Sequence, residues 1–317
     1  MVFEDDPKYG LSDAVLLKTI DEPSFIQNIK LRYTNDRIYT YIGNVIVAIN
    51  PYKQIQNLYS ENTMKLYFGR EHYEEAPHIF SIAEQAYKQV KRFRKNTCIL
   101  ISGESGSGKT EASKIIMNYI SAATKSVNQS EVDRIKSVLL KTNVVLEAFG
   151  NAQTTRNDNS SRFGKYMDIC FDFKADCSGG VIQTYLLEKT RVINQQKDER
   201  NFHIFYQLLN GADSDILKKI GLDGQKNFNF ITNGMNKKSK DASDFKLVKA
   251  ALKSSGINEN QQLEIFSVLS AILHLGELNF HTVEDAAGNS SSSSVVISDQ
   301  KLANKIASLL RTPPFLG

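Results

Sequence analysis

Residues 103 to 110 read Gly-Glu-Ser-Gly-Ser-Gly-Lys-Thr and fit G-x-x-x-x-G-K-[ST] at every fixed position. The pattern suits a polyphosphate. Gly103, Gly106 and Gly108 let the backbone curl until successive N–H groups point inward at phosphate oxygens. A helix that begins near Gly108 adds its positive N-terminus. Lys109 supplies a point charge for β and γ phosphates. The Thr110 hydroxyl is an oxygen ligand of the kind Mg2+ prefers. Glu104, Ser105 and Ser107 fill the places between the glycines and belong to the same ligand-binding loop. Two other nucleotide folds do not fit. Glu111 stands where a dinucleotide loop needs its third glycine. The protein-kinase signatures H-R-D and D-F-G are absent from the sequence.

A phosphate loop binds, but cleavage also needs an in-line water and charge set against the transferring phosphoryl group. The stretch NDNSSRFGKY, residues 157 to 166, carries residues of the right types. Ser160 and Ser161 offer hydroxyls for Mg2+ or a phosphate oxygen, and Arg162 is suited to anchoring a carboxylate. Taken alone, the stretch also reads as a polar turn before a strand.

The elements that must position these groups follow from periodicity. TCILIS, residues 97 to 102, is apolar on both faces and predicts a central strand of a covered sheet. Lys109 to about Ala123 predicts the helix that follows it. Residues 78 to 93 carry Ile79, Ile82, Ala83, Ala86, Tyr87, Val90 and Phe93 on one helical face. Residues 38 to 50 predict one or two strands. RFGKYMDICFDF alternates and, with VIQTYLLE beyond a turn, predicts a β-hairpin. Residues 199 to 209 and 258 to 278 predict buried helices, and 211 to 257 reads as polar and broken by glycines. GNSSSSS, residues 288 to 294, predicts a flexible loop.

Composition narrows the class. Hydrophobic residues are 41% of 317, enough for a sizeable core in one large domain or two. The charge of +4, from 39 Lys+Arg against 35 Asp+Glu, gives no case for nucleic acid or an anionic membrane as partner. The densest basic patch, Lys88, Lys91, Arg92, Arg94 and Lys95, falls where a helix should end and predicts a solvated helix terminus. Cys98, Cys170 and Cys177 are too few and too scattered for a disulfide framework or zinc site. His203 and His274 read as core or helix-surface histidines instead of metal ligands. The cluster His72, Glu74, Glu75 and His78 predicts a solvated loop. With no leader-like start and no apolar run near the ~20 residues of a membrane span, the expectation is a soluble intracellular chain.

Together the motifs resemble the myosin motor domain. VAINPYK (47–53) resembles its adenine-side loop, GESGSGKTEASK (103–114) its phosphate loop, and NAQTTRNDNSSRFGKY (151–166) its switch I. TYLLEKTRVI (184–193), ERNFHIFYQLL (199–209) and ILHLGELNF (272–280) resemble its connecting segments. The motor-like region starts within the first few residues, which leans toward class I myosins. The resemblance implies an α/β P-loop NTPase fold with a mixed central sheet flanked by helices. It implies a nucleotide-binding core over about 1–193 and a helical upper-domain segment over about 194–317.

It also implies roles. Thr110 and Ser161 would ligate Mg2+, Lys109 would hold the β and γ phosphates, and Asn157 would sit against the phosphates. Ser160 would lie beside the γ-phosphate and the attacking water as a proton relay. Arg162 would pair with a glutamate of switch II, while Asn50, Pro51 and Tyr59 would flank adenine. The substrate would be ATP with Mg2+, and the partner an actin filament. A light chain or calmodulin would bind a lever outside this chain, in the cytoplasm on the actin cytoskeleton. The D-x-x-G-F-E of switch II does not occur in the sequence. The expectation is therefore the N-terminal part of a motor, inactive and unstable by itself, with Arg162 lacking a glutamate partner. A non-motor nucleotide switch is the alternative. An unrelated P-loop enzyme such as a nucleotide kinase fits less well, because the basic lid residues are missing.

Overall fold

The computed structural model describes residues 7–124, 129–224, 227–234, 240–284 and 293–314. They fall into two compact units, Met1–Leu139 with Met167–Ile182, and Leu140–Tyr166 with Gln183–Gly317.

In the first unit, Asp21 caps α1 (Glu22–Thr34) by accepting from the Ser24 N–H, with Pro23 in the first turn where its missing N–H costs nothing. Arg32 of this helix is buried and donates to Thr40 Oγ1 at 2.9 Å and the Tyr39 carbonyl at 2.7 Å. That ties α1 to the antiparallel pair β1 (Tyr39–Ile42) and β2 (Val45–Ala48), where one or two strands were expected. After α2 (Glu61–Tyr67), His78 caps α3 (Ile79–Phe93) by accepting from the Phe80 N–H on Nδ1. The apolar face of α3 then meets α4 (Lys109–Ala123). Phe80 stacks on Tyr119 at 5.1 Å, inside a core with Ile79, Ala83, Ile116 and Ile120. The buried Glu84 accepts from the Tyr119 hydroxyl at 2.8 Å and the Gly69 N–H at 2.9 Å, so its burial is compensated by bonds.

The strand expected over residues 97 to 102 differs. Among the described residues it is paired with no other strand, and the sheets that form have two strands each. Its alternation survives on one side only. Ile99 and Ile101 pack on the α3/α4 core, whereas Cys98 is exposed and Leu100 is 89% exposed. An extended segment becomes a strand only when a neighbour takes up its N–H and C=O groups, and no described segment does so. The mixed central sheet is likewise not formed among the described residues.

Helix α5 (Gln129–Gly150), not anticipated from the sequence, leads to β3 (Asn151–Ala152), which pairs antiparallel with β4 (Ser160–Ser161). The hairpin expected next is present as β5 (Gly164–Phe171) and β6 (Cys177–Tyr185). The second unit continues with α6 (His203–Gly211), α7 (Ser214–Lys219), α8 (Asp241–Ser254), α9 (Glu259–Leu275), β7 (Phe280–Glu284), β8 (Ser293–Ile297) and α10 (Gln300–Leu310). Its core joins Phe205, Leu208, Phe245, Val248, Phe266 and Leu273. Helices α6 and α8 approach so closely that a Cβ at Gly211 would lie 2.6 Å from Phe245 Cβ.

Helix α8 corrects the reading of 211 to 257 as broken polar chain. Phe245, Val248 and Leu252 form a buried stripe at helical spacing, diluted in sequence by lysines and aspartates. Residues 199 to 202 precede α6 instead of belonging to it. There Arg200 is buried against Asp241 at 2.8 Å, and the Asn201 side chain donates to the Val192 and Phe230 carbonyls. Residues 288 to 292 of the serine-rich stretch lie outside the described residues, and Ser293 and Ser294 begin β8.

Candidate functional site

The phosphate-loop motif sits directly at the N-terminus of α4, as its spacing requires. Gly106 and Gly108 have φ of +81° and +97°, a region that glycine enters without strain. Gly108 is the N-cap, and no side chain caps the helix, so its first N–H groups face the loop. A Cβ at Gly103 would lie 2.5 Å from Ser107 Oγ, so a side chain there would force the Ser107 hydroxyl to move. Lys109 Nζ donates to the Gly103 carbonyl at 2.7 Å and the Glu104 carbonyl at 2.9 Å, which sets the ammonium over the loop. Thr110 is half-buried in the first turn of α4.

Asn50 is brought to the same loop: its Nδ2 donates to the Gly106 carbonyl at 2.7 Å, while its Oδ1 accepts from the Tyr52 N–H at 2.9 Å. The Tyr33 hydroxyl lies 3.5 Å from the Asn50 and Pro51 carbonyls. Tyr59 is held differently. Its hydroxyl bonds that of Tyr39 at 2.8 Å, and its ring lies 5.7 Å from His78 and 6.2 Å from Phe80. Burial raises the Tyr59 phenol above its ordinary value, and the Glu111 carboxylate adds to the rise.

In the second unit, residues 153 to 159 close the β3–β4 hairpin. The Thr154 N–H donates to the Asn157 carbonyl at 2.9 Å, and the Asn159 N–H to Asn157 Oδ1 at 3.0 Å, so Asn157 shapes its own loop. Asn159 fastens that loop to its surroundings. Its Oδ1 accepts from Asn151 Nδ2 at 2.9 Å and lies 3.2 Å from His203 Nε2, and its Nδ2 donates to Glu147 at 3.1 Å. Ser160 is 2% exposed and Ser161 is exposed, as alternation along β4 dictates.

Arg162 has a carboxylate partner. Its Nε donates to Glu188 Oε2 at 2.6 Å and its Nη1 to Ser160 Oγ at 3.1 Å. This overturns the expectation that Arg162 lacks a glutamate within the chain. The β3–β4 pairing and the turn after β6 converge, so the Arg162 N–H donates to the Gly150 carbonyl and the Glu188 N–H to the Arg162 carbonyl. Sequence reading missed Glu188, Asn159, Glu147 and His203 as supports. The one local signal was Glu188 with Arg191 three residues on, a spacing that lets the two meet.

Comparison with known proteins decides the family. Residues 11–314 match the family described as "Myosin head (motor domain)". The chain belongs to the myosin motor-domain family. "Unconventional myosin-Id" of Canis lupus familiaris is 50% identical over 315 residues, 98% of this chain and 30% of that protein. The Homo sapiens protein of the same name is 49% identical over 315 residues, with the same coverage of 98% and 30%. "Unconventional myosin ID" of Drosophila melanogaster is 48% identical over 303 residues, 95% of this chain and 29% of that protein. The leaning toward class I myosins therefore holds, and this motor-domain chain spans about 30% of the length of the relatives it matches.

Three histidines of this myosin chain are packed beside polar partners. His78 is buried, lies 3.1 Å from the Leu58 carbonyl through Nε2, and is pushed down to about 4 by burial. His203 is also pushed down to about 4, by burial first and then by the nearby Arg200. His274 is buried and lies 3.1 Å from the Gly221 carbonyl. Among the described residues no group of His, Cys, Asp and Glu is arranged to hold a metal ion. The patch at the end of α3 is mostly solvated, with Lys88 as the exception: it is buried and donates to Glu71 at 2.8 Å. No helix among the described residues is long and apolar enough to cross a membrane.

Proposed function

We propose that this chain forms the ATP-binding part of an actin-based motor that hydrolyses Mg-ATP. The observation that carries the reading is the uncapped N-terminus of α4, with two positive-φ glycines and Lys109 held over the loop it opens. Gly103 to Thr110 would receive the phosphates, and Asn50, Pro51 and Tyr59 the adenine side. Asn157, Ser160, Ser161 and Arg162 would serve the cleavage step.

The donors that the resemblance implies for a metal are the hydroxyls of Thr110 and Ser161, neutral hard oxygens without histidine or thiolate. That set fits Mg2+, which fills its other places with phosphate oxygens and water. When bound, the ion supplies charge neutralisation across the β and γ phosphates. Thr110 and Ser161 would hold it, Lys109 would bind the phosphates as a point charge, and Arg162 would keep Ser160 in place for proton relay.

In the complete protein we assign residues 1–193 to the nucleotide core and 194–317 to a helical upper segment. TCILIS would be a strand of the central mixed sheet. The partners would be an actin filament and, through a lever, a light chain or calmodulin, in the cytoplasm on the actin cytoskeleton.

The decisive measurement is titration with a fluorescent ATP analogue. Lys109→Ala removes a charge-assisted phosphate contact worth about 1.5–3 kcal/mol, so affinity should fall roughly tenfold or more. Equal affinity in variant and wild type would remove the basis of the reading.

A further inference from the structure

Arg162 is fixed by more than its own loop. Glu188 Oε2 accepts from Arg162 Nε at 2.6 Å and from Arg191 Nε at 2.7 Å, so one carboxylate oxygen bridges two guanidinium groups. The two arginines are not alike. Arg191 is 5% exposed, and its other donors reach Glu199 at 2.9 Å and the Arg200 carbonyl at 3.0 Å. It is an immobile anchor, already balanced by the equally buried Glu199. Arg162 is 27% exposed and continues to Ser160 Oγ. Two arginines face two glutamates here, and Glu188 is the member that joins the buried pair to the functional loop.

The main chain strengthens that link, because the Glu188 N–H donates to the Arg162 carbonyl at 2.9 Å. Residue 162 is thus held to residue 188 through both backbone and side chain. Burial works against ionisation of Glu188, yet the hydrogen bonds and charges of Arg191 and Arg162 outweigh it and hold the carboxyl below its ordinary value. The bridge therefore stays charged throughout the neutral range.

We propose that Glu188 is a positioning residue for the cleavage step: clamped by the buried Arg191, its carboxylate sets the direction of the Arg162 guanidinium and, through it, of the Ser160 hydroxyl. A guanidinium on an exposed loop has many rotamers, and a group oriented in advance loses less entropy when it acts. Glu188 acts through Arg162 and not on the nucleotide. Its removal should leave binding alone and slow cleavage.

The inference rests on the reading of residues 157 to 162 as a hydrolytic loop, and the test separates the two. In the complete motor that carries these residues, Glu188→Gln, Glu188→Asp, Arg162→Ala and the double variant Arg162→Ala/Glu188→Gln would be compared. The readouts are analogue affinity, thermal melt and single-turnover ATP cleavage. Arg162→Ala should cut cleavage by roughly 10²–10³-fold, as loss of one preorganised stabiliser does. Glu188→Gln should keep affinity within about twofold and slow cleavage by roughly 10–100-fold, the range typical of a group that orients another. Glu188→Asp should recover part of that loss, because the charge remains. The double variant should be no slower than Arg162→Ala alone, since a positioning residue has nothing left to position. Should Glu188→Gln lose its melt, Glu188→Asp in the presence and absence of Arg162 carries the same comparison. Losses that multiply in the double variant, or cleavage by folded Glu188→Gln within twofold of wild type, would overturn the role of Glu188. Wild-type cleavage by Arg162→Ala would instead overturn the reading of the loop.

Discussion

At the scale of single residues, His78 shows how one side chain can hold both a helix end and a distant loop. It caps α3 through Nδ1, reaches the Leu58 carbonyl through Nε2, and packs edge-on to Tyr39 at 4.9 Å. Both ring nitrogens are engaged in the neutral form, with Nδ1 as an acceptor, so a second proton costs a bond as well as burial. The folded state binds that proton near pH 4 and the unfolded chain near 6.5. Between those values the unfolded chain carries more protons. Stability is therefore fully present above about pH 6.5 and is lost as pH falls toward 4. Each tenfold weakening of proton binding is worth about 1.4 kcal/mol, so the loss amounts to a few kcal/mol. His203, depressed in the same way, adds to it. Denaturant midpoints measured between pH 7 and 4.5 should fall with acid, and in His78→Gln the slope should be shallower. An unchanged slope would show that His78 is not the group that titrates.

At the scale of elements, the second unit depends on a buried ion pair to join the segment before α6 to the start of α8. Arg200 donates to Asp241 at 2.8 and 3.3 Å, both residues are buried, and the guanidinium lies 3.8 Å from the centre of the Tyr206 ring. Asp241 also accepts from Asn210 of α6 at 3.1 Å. Such a pair gives little net stability over a hydrophobic substitute, yet breaking it strands a buried charge. Asp241→Ala should therefore lower the unfolding free energy by about 3–5 kcal/mol. It should also speed hydrogen exchange in α6 and α8 ahead of α3 and α4, because each unit has its own core. Uniform loss of protection across all four helices would argue against a local role. The capping box of α9, where Asn258 and Gln261 bond each other's N–H groups, is the kind of element end that sequence does announce.

At the scale of the whole molecule, residues 97 to 102 are the exposed weakness. Among the described residues they pair with no strand although they are extended beside the glycine-rich loop, and Leu100 is 89% exposed. An apolar extended segment with open backbone groups is a template for pairing with another chain. The 317 residues expressed by themselves should accordingly self-associate and melt without a sharp transition. Leu100→Lys should reduce the association without lowering affinity for the ATP analogue, since the side chain points away from the core. A monomeric chain with a cooperative melt would refute this expectation.

The glycine-rich turn before α4 was legible in the sequence because its backbone rules are local. Three glycines, a lysine and a threonine at fixed spacing can only curl one way into a helix, and α4 begins at Lys109 as that spacing requires. The β5–β6 hairpin was legible for the same reason, since alternation and a turn are neighbours in the chain. The amphipathic face of α3 gave it away, and the resemblance of the ordered motifs named the family. Helix α8 was not legible, because its buried stripe is hidden among charges that only packing against α6 sorts to the outside. The partner of Arg162 was not legible either. Glu188 lies 26 residues away, and it meets Arg162 only because the chain returns after β6 and fixes both backbones. Local backbone rules thus determined the glycine-rich turn that opens α4, whereas the tertiary fold alone decided which carboxylate pairs with Arg162, because that choice depends on which distant residues share a desolvated corner.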